Sequence, residues 1–182
     1  MGQKPFLTGN KIKLRKLTDA DFEKFKEIEG NMENRLLMED DIPFPPTDEN
    51  HRSFIDQISA NKEEYTFAIE KLDTTEFIGT IGLFRFNWKN GTCYVGIAIH
   101  QDQQNKGYGT DAMQTLVDFI FTNLNLNKVK LDVFSFNPGA IRSYQKCGFK
   151  TEGILRDEIF RFGQFHDIHA MGILRREWLT QQ

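Results

Sequence analysis

The chain has few of the features that mark secreted, zinc-binding or membrane-embedded proteins. It contains two cysteines in 182 residues, and Cys93 and Cys147 lie far apart with no Cys-x-x-Cys spacing. Neither a disulfide framework nor a thiolate zinc site is therefore expected. No apolar run approaches the ~20 residues that a membrane span needs, and the first six residues lack the apolar core of a signal peptide. We expect a cytoplasmic protein without a membrane partner.

The chain also lacks an excess of positive charge. The 23 Lys and Arg residues are outnumbered by 26 Asp and Glu residues, which gives a net charge of −3. Nucleic acids and anionic membranes bind proteins through concentrated positive charge, so neither is expected as a partner. His166 and His169 form a His-x-x-His pair, but no neighbouring Glu or Cys completes a metal-ligand set. We expect two solvated hairpin histidines and no metal.

Aromatic residues, in contrast, are abundant. The chain has 17 Phe, 4 Tyr and 2 Trp residues, and 39% of its residues are hydrophobic. A chain of this length normally forms one domain around one core, because chains split mainly beyond ~250–300 residues. We expect a single domain that covers residues 1–182.

Hydrophobic periodicity and turn signals predict a mixed fold of the order β-α-α-β-β-β-α-β-α-β-β. The predicted strands cover residues 12–14, 65–72, 77–88, 92–100, 129–134, 149–160 and 165–174. The predicted helices cover residues 18–30, 47–64, 109–124 and 138–147, and residues 31–46, with three prolines, are predicted as a loop. In the second helix, Phe54, Ile55 and Ile58 are expected to face inward. The fold class is α/β (α+β), with helices covering a mostly antiparallel mixed sheet whose parallel pair joins the strands at 92–100 and 129–134.

The segment Gln-Asn-Lys-Gly-Tyr-Gly at 104–109 lies between a predicted strand and a predicted helix. Backbone N–H groups at such a helix N-terminus attract a phosphate or pyrophosphate. Gly107 and Gly109 let the backbone approach the anion, and Lys106 adds a positive charge. An ordinary strand–helix turn is the alternative. The glycine spacing fits neither the Rossmann fingerprint nor a Walker loop, which disfavours a mononucleotide-binding protein.

Three linked segments carry a family resemblance. The strand and loop of residues 94–109 resemble the acetyl-CoA motif of the GNAT N-acetyltransferases. Residues 137–149 resemble the Asn-x-x-Ala-x-x-x-Tyr-x-x-x-Gly-Phe segment of that superfamily, and residues 152–178 are similar to its RimJ/RimL-like branch. The resemblance implies the GNAT fold, with a sheet splayed at the cofactor site, and direct acetyl transfer from acetyl-CoA to a primary amine. Members of that branch acetylate ribosomal-protein N-termini, and its relatives acetylate polyamines and other small amines.

The resemblance also implies a set of cofactor-binding residues. Backbone groups of Ile97, Ala98 and Ile99 would pair with the pantetheine arm, and one of their N–H groups would polarise the thioester carbonyl. Asn137 would reach the cofactor as well as cap its own helix. The loop that would hold the pyrophosphate consists of Gln104, Asn105, Lys106, Gly107, Tyr108, Gly109 and Thr110.

Tyr144 is the expected general acid. It lies seven residues, or two helical turns, after Asn137 and therefore on the same helix face. A tyrosine stays protonated at neutral pH and can donate to the departing CoA thiolate, as the matching tyrosine does in the family. The alternative is a core aromatic side chain that packs beside Phe149.

The general base is left open. The branch often carries a Glu on the motif strand two residues before its Gly, and Tyr94 stands there instead. Glu39, Asp40 and Asp41 are the first substitutes. Asp132 and His100 are further options. Because a base is not assigned, a non-catalytic acetyl-CoA-binding or regulatory module remains the alternative to an enzyme.

An acidic stretch points to the class of acceptor. Residues 37–50 contain five acids, no Lys and no Arg. Such a stretch would attract a cationic amine, as a polyamine or an aminoglycoside would be, whereas a solvated acidic loop is the alternative. The acceptor is thus either a small amine or a protein N-terminus, and the protein is either a monomer or a homodimer.

Overall fold

A computed structural model describes residues 6–60 and 64–181 and contains a central seven-stranded sheet. The strands are β1 (Ile12–Arg15), β2 (Tyr65–Lys71), β3 (Phe77–Asn87), β4 (Thr92–Ile99), β5 (Lys128–Phe134), β6 (Lys150–Arg161) and β7 (Gln164–Leu174). The helices are α1 (Phe22–Glu29), α2 (Met32–Met38), α3 (Asp48–Ala60), α4 (Tyr108–Asn123), α5 (Pro138–Lys146) and α6 (Arg175–Leu179). A short 3₁₀ turn precedes α1, and another lies between β4 and α4.

The sheet has the order β1-β2-β3-β4-β5-β7-β6. Its neighbouring strands are antiparallel except for β4 and β5, which are parallel. The chain makes the parallel pairing by crossing from β4 to β5 through α4, as a strand–helix–strand unit requires. The predicted mixed, mostly antiparallel sheet is confirmed.

The parallel pair separates after a few residues. Its register runs from Thr92–Lys128 through Cys93–Val129 to Tyr94–Lys130 and ends there. The second half of β4 stays paired to β3 on its other edge, where Ile99 lies opposite Gly79. The edge of β4 that faces β5 is therefore open from Val95 onward, and the sheet has the predicted splay.

Helices pack on the sheet through two separate apolar clusters. The helix predicted at residues 109–124 contributes an apolar stripe to the larger cluster, in which Met113, Leu116, Val117 and Ile120 are buried. Burying an aliphatic side chain of this size stabilises a fold by about 1.5–3 kcal/mol, so α4 is held firmly against the sheet. The smaller cluster joins Phe25 and Ile28 of α1 to Ala68, Phe77 and Ala98 of the sheet.

Several local predictions were wrong. The predicted loop at 31–46 contains α2, whose first turn is capped by the side chain of Asn31, which accepts from the Asn34 N–H at 2.9 Å. Phe54 is 45% exposed, although its ring stacks on Phe25. Helix α3 ends at Ala60, and residues 61–63 of the predicted helix and the side chain of Ile58 lie outside the described residues.

The two histidines of the His-x-x-His pair also differ from their prediction. Both lie on β7 and are half-buried rather than solvated. The ring of His166 packs edge-on against Phe136 at 4.7 Å between ring centroids. Across the ranges that the structure describes, no cluster of His, Cys, Asp and Glu side chains is arranged to hold a metal ion. None of the described helices has the length and apolar character needed to cross a membrane.

Candidate active site

A cleft of about 700 Å³ opens where β4 and β5 separate. Its walls come from both strands, from α2 and α5, and from the loop that leads into α4. Because the open edge of β4 lies along one wall, its backbone N–H and C=O groups are available to an extended ligand in the way that a sheet edge accepts another strand. This is the place that the sequence predicts for the pantetheine arm.

The loop between β4 and α4 is fixed at its start by Gln104. The side-chain amide of Gln104 donates to the Ile99 carbonyl at 3.1 Å and to the side-chain oxygen of Asn34 at 3.0 Å. Asn105 and Gly107 then take positive φ values of 60° and 85°. Gly107 is the N-cap of α4, and its left-handed conformation is one that glycine adopts without strain.

The first turn of α4 is suited to an anion. The Asp111 N–H donates to the Gly107 carbonyl at 3.1 Å, so the N–H groups of residues 108–110 precede the helical ladder. A Cβ built on Gly109 would lie 3.7 Å from Ile99 and 3.8 Å from Ile97, which is ordinary contact with room to spare. The protein itself does not need glycine at 109, whereas a close-lying phosphate would.

The cleft brings together most of the predicted cofactor-binding residues. Those among its lining residues are Ile97, Ile99, Gln104, Asn105, Gly107, Gly109, Thr110, Asn137 and Tyr144. Thr110 on α4 and Ser143 on α5 share a hydroxyl–hydroxyl hydrogen bond of 2.8 Å, which joins the two helices at the cleft.

Three predicted residues do not line the cleft. Ala98 is buried in the smaller apolar cluster. The ring of Tyr108 lies between the ammonium groups of Lys11 and Lys71, at 5.9 and 5.8 Å. Lys106 turns its ammonium to Gln103, while its carbonyl accepts from Lys11 at 2.8 Å. Their side chains serve the scaffold.

Tyr144 has both a packed ring and an open hydroxyl. Asn137 caps α5 by accepting from the Ala140 N–H at 3.1 Å, and Tyr144 follows two turns later on the cleft side. Its ring lies 6.1 Å from that of Phe149. Within the described part of the chain no protein group hydrogen-bonds its hydroxyl, and burial raises its pKa to about 12. The phenol is thus protonated and available as a donor in the cleft.

Of the five acid–base options, Asp40 and Asp132 line the cleft. Asp132 lies on β5 two residues beyond the last paired position. Burial raises the pKa of Asp132, the nearby cations Arg85 and Lys130 lower it, and the negative charge of Asp40 raises it. The net direction is upward, which makes this carboxylate a better proton acceptor than an ordinary aspartate, as a general base requires.

The other three options are engaged elsewhere. Glu39 forms an ion pair with Arg35, one turn away on α2. The Asp41 carboxylate accepts from the N–H of Ile42 at 2.7 Å. His100 caps the 3₁₀ turn by accepting from the Asp102 N–H at 3.2 Å. None of these three side chains lies in the cleft lining.

Tyr94, in place of the Glu of the motif strand, builds an aromatic and cationic wall of the cleft. Its ring stacks on Phe84 with 6.3 Å between ring centroids. The Lys130 ammonium and the Arg85 guanidinium lie 4.5 Å and 5.6 Å from the centroid of the Tyr94 ring. Sequence reasoning missed Arg85 and Phe84, because they reach the cleft through a bulge in β3 where Arg85 takes a φ of 50°. It also missed Asn34, which lies on the unpredicted helix α2.

Within residues 6–60 and 64–181, an open strand edge, a helix start with unpaired N–H groups and a phenol without a hydrogen-bond partner lie in one cleft, which is the arrangement expected of an enzyme that transfers an acyl group from a CoA thioester. A family model described as an acetyltransferase (GNAT) domain matches residues 11–150, and the chain belongs to this family. The expected GNAT fold is confirmed, and the chain is an acetyl-CoA-dependent N-acetyltransferase rather than a non-catalytic module.

Relatives span nearly the whole chain. It is 29% identical over 172 residues to the spermidine N(1)-acetyltransferase of Vibrio cholerae, which covers 94% of this chain and 98% of that protein. It is 29% identical over 173 residues, 95% of each chain, to the SPbeta prophage-derived uncharacterized N-acetyltransferase YokL of Bacillus subtilis. A crystal structure of the Vibrio cholerae spermidine N-acetyltransferase with CoA and spermine superposes with a TM-score of 0.83 at 27% identity, over 92% of this chain and 98% of that chain.

Proposed function

We propose that this enzyme acetylates a primary amine of a small aliphatic polyamine such as spermidine. The observation that carries the proposal is the pair of carboxylates, Asp40 and Asp132, in the same cleft as the free hydroxyl of Tyr144. Two negative charges at the acceptor end favour an amine that carries a second positive charge. The similarity to spermidine N-acetyltransferases over most of the chain supports the same class of acceptor.

We assign the chemical roles as follows. Asp132 takes a proton from the acceptor ammonium, and the neutral nitrogen attacks the thioester carbon. The new C–N bond forms while the carbonyl oxygen gains charge, which a backbone N–H on the open edge of β4 stabilises. The C–S bond then breaks, and the Tyr144 hydroxyl protonates the CoA thiolate. The nitrogen gives up its remaining extra proton to solvent as the amide forms, and solvent returns a proton to Tyr144. Asp40 holds the distal cationic group of the acceptor.

A protein N-terminus is the competing acceptor, in keeping with the RimJ/RimL-like branch that residues 152–178 suggest. A specific observation favours it: Arg85 and Lys130 lie beside Asp132 and offset its negative charge. An uncharged first residue would not be repelled by these cations. The α-amino group, with a reference pKa of about 7.7–8.0, also needs less help from a base than an alkylamine near 10.4.

A thiol-release assay over a panel of acceptors tests the proposal. The panel contains spermidine, an aminoglycoside, and peptides that begin with Ala, Ser or Met, each assayed at low and at physiological salt. We expect spermidine to give the highest kcat/KM, with a KM that rises with salt because the Debye length falls to about 8 Å. A peptide as the best acceptor, with a rate that ignores salt, would reject the polyamine assignment.

We further propose that the enzyme acts in the cytoplasm as a homodimer. Acetyl-CoA and free polyamines are cytoplasmic metabolites. The β6–β7 hairpin exposes about half or more of several large apolar side chains, namely Ile154, Leu155, Phe160, Phe162 and Phe165. Apolar groups clustered on a surface favour association with another protein surface. Sedimentation equilibrium of the wild type and of Phe160→Ser tests the dimer, and a wild-type monomer at micromolar concentration rejects it.

A further inference from the structure

Arg161, at the end of β6, reaches across the molecule to the acidic stretch that holds Asp40. It is 9% exposed, and its Nη2 donates to the carbonyl of Glu39 at 2.8 Å and to that of Asp41 at 2.6 Å. These partners precede it by more than a hundred residues. Its Nη1 donates to the adjacent Phe160 carbonyl at 3.0 Å. One guanidinium group therefore hydrogen-bonds the backbone on both sides of Asp40.

This arginine is not placed as an ordinary ion-pair residue. Among the described residues it forms no ion pair, and its buried Nε has no hydrogen-bond partner. The nearby Glu39 carboxylate offsets part of its charge, but a buried donor without a hydrogen-bond partner still costs the fold stability. This cost indicates that Arg161 has a role other than stabilising the fold. Its two carbonyl partners define that role.

The segment to which Arg161 donates has few other hydrogen bonds to hold it in place. Residues 39–47 lie between α2 and α3, and three of them are prolines, which have no N–H to donate. Within the described ranges, the hydrogen bonds that reach these residues from outside α2, α3 and the segment itself come from Arg161. Asp40 is the member of this segment whose side chain lines the cleft.

We propose that Arg161 is a positioning residue for the amine acceptor, because it fixes the backbone on both sides of Asp40 and so directs the Asp40 carboxylate into the cleft. This inference rests on the proposed function, in which Asp40 contacts the distal cation of the acceptor. Arg161 itself is not among the residues that line the cleft, so we assign it no direct contact with the acceptor.

The test compares Arg161→Met, which removes the donors and keeps an apolar stem, with a matched control. Arg175 also clasps backbone carbonyls, those of Phe121, Leu124 and Leu126 at 2.6–2.9 Å, but at the far end of α4. Arg161→Met is expected to raise the KM for spermidine about tenfold or more, the scale of one lost charged contact, with the KM for acetyl-CoA within about twofold. Arg175→Met is expected to lower thermal stability without raising the KM for spermidine relative to the KM for acetyl-CoA.

A double-mutant cycle asks whether Arg161 acts through Asp40. Asp40→Asn alone is expected to raise the spermidine KM to a similar extent, and Arg161→Met added to Asp40→Asn is expected to raise it little further. Additive effects, or an Asp40→Asn variant with the wild-type KM, overturn the proposal. Arg161→Lys, which keeps the charge but cannot donate to both carbonyls with one planar fork, is expected to be intermediate and replaces the Met variant if that one does not fold.

Hydrogen exchange separates this proposal from the proposed function. In Arg161→Met the amides of residues 39–44 are expected to exchange about tenfold faster or more than in the wild type and in Arg175→Met, because their anchor is lost. Unchanged exchange overturns the positioning role, whatever the acceptor. Should the wild type fail to acetylate spermidine while the exchange result is obtained, the acceptor assignment falls and the anchoring of Asp40 stands.

Discussion

Replacing either of the two glycines at the start of α4 with alanine should weaken the binding of acetyl-CoA, but the two replacements should have opposite effects on the stability of the fold. Gly109 has room for a Cβ, whose nearest neighbours would be Ile99 at 3.7 Å and Ile97 at 3.8 Å. Gly109→Ala therefore removes backbone freedom from the unfolded chain without a clash. This change should stabilise the fold by about 0.5–1 kcal/mol, which raises the Tm of a chain of this size by about 1–4 °C.

Gly107 has a φ of 85°, and a Cβ there would lie 3.2 Å from the Lys11 ammonium. An alanine in the left-handed region costs about 1–2 kcal/mol, so Gly107→Ala should lower the Tm by about 2–8 °C. We expect both methyl groups to crowd a pyrophosphate held by the N–H groups of this turn. The loss of one charge-assisted hydrogen bond, about 1.5–3 kcal/mol, corresponds to a roughly 10- to 150-fold rise in the KM for acetyl-CoA.

The assays are thermal unfolding and steady-state kinetics with acetyl-CoA varied at saturating amine. Gly153→Ala is the control, because nothing lies within 4 Å of the Cβ that would be added there, on the edge strand β6. It should leave the KM for acetyl-CoA unchanged. A Gly109→Ala enzyme that is more stable than the wild type and keeps its KM for acetyl-CoA within twofold would refute the placement of the pyrophosphate at this helix start.

Three further predictions concern the acid, the base and the scaffold. Tyr144→Phe should lower kcat by roughly 10²–10⁴-fold with a smaller effect on the KM for acetyl-CoA, and wild-type turnover would assign the residue to packing. Because the pKa of Asp132 is raised in the folded protein, the wild-type kcat/KM should fall as pH drops through that raised value. The Asp132→Asn variant should lose most of its kcat/KM, and its remaining activity should no longer fall at acidic pH. A variant whose kcat/KM still falls in the same acidic range would show that another residue is the base. The same upward shift means that the contribution of Asp132 to stability is fully present below its unfolded pKa and is lost as pH rises through its folded pKa. Asp111→Ala should cost about 2–4 kcal/mol, measured by thermal unfolding against the exposed Asp118→Ala, since the buried Asp111 carboxylate accepts three backbone N–H bonds from residues 10–12. A loss in Asp111→Ala no larger than in that control would contradict this.

The elements that the sequence predicts well are those with local signals. The stripe on α4 repeats at helical spacing over several turns, and Asn137 with Pro138 marks the start of α5 as cap and first residue. Helix α2 was not predicted because its seven residues are too few to show a helical repeat of apolar side chains, and its only capping signal is one Asn side chain. Phe54 was expected to be inward by the same periodicity, but its side chain is partly exposed and its ring stacks on the buried Phe25.

The composition of the acceptor end could not be predicted, because it depends on contacts between distant parts of the chain. Three adjacent acids are equivalent in the sequence, yet Asp40 alone among them lines the cleft. The difference comes from Arg161, whose hydrogen bonds fix the backbone at residues 39 and 41. In the same way Arg85 reaches Tyr94 through a bulge in β3, a backbone irregularity with no local sequence signal of its own.

The separation of β4 from β5 places the proposed supports of the two substrates on different elements, and this has a consequence for how the enzyme can vary. The cofactor end rests on the open edge of β4 and the start of α4, which Asp111 ties to β1. The acceptor end rests on Asp132 of β5 and on a segment anchored to β6 by Arg161. Tyr144 lines the same cleft from α5. Because no residue of the acceptor support belongs to the cofactor support, substitutions at residues 39–47 can change the amine that is accepted without altering the affinity for acetyl-CoA.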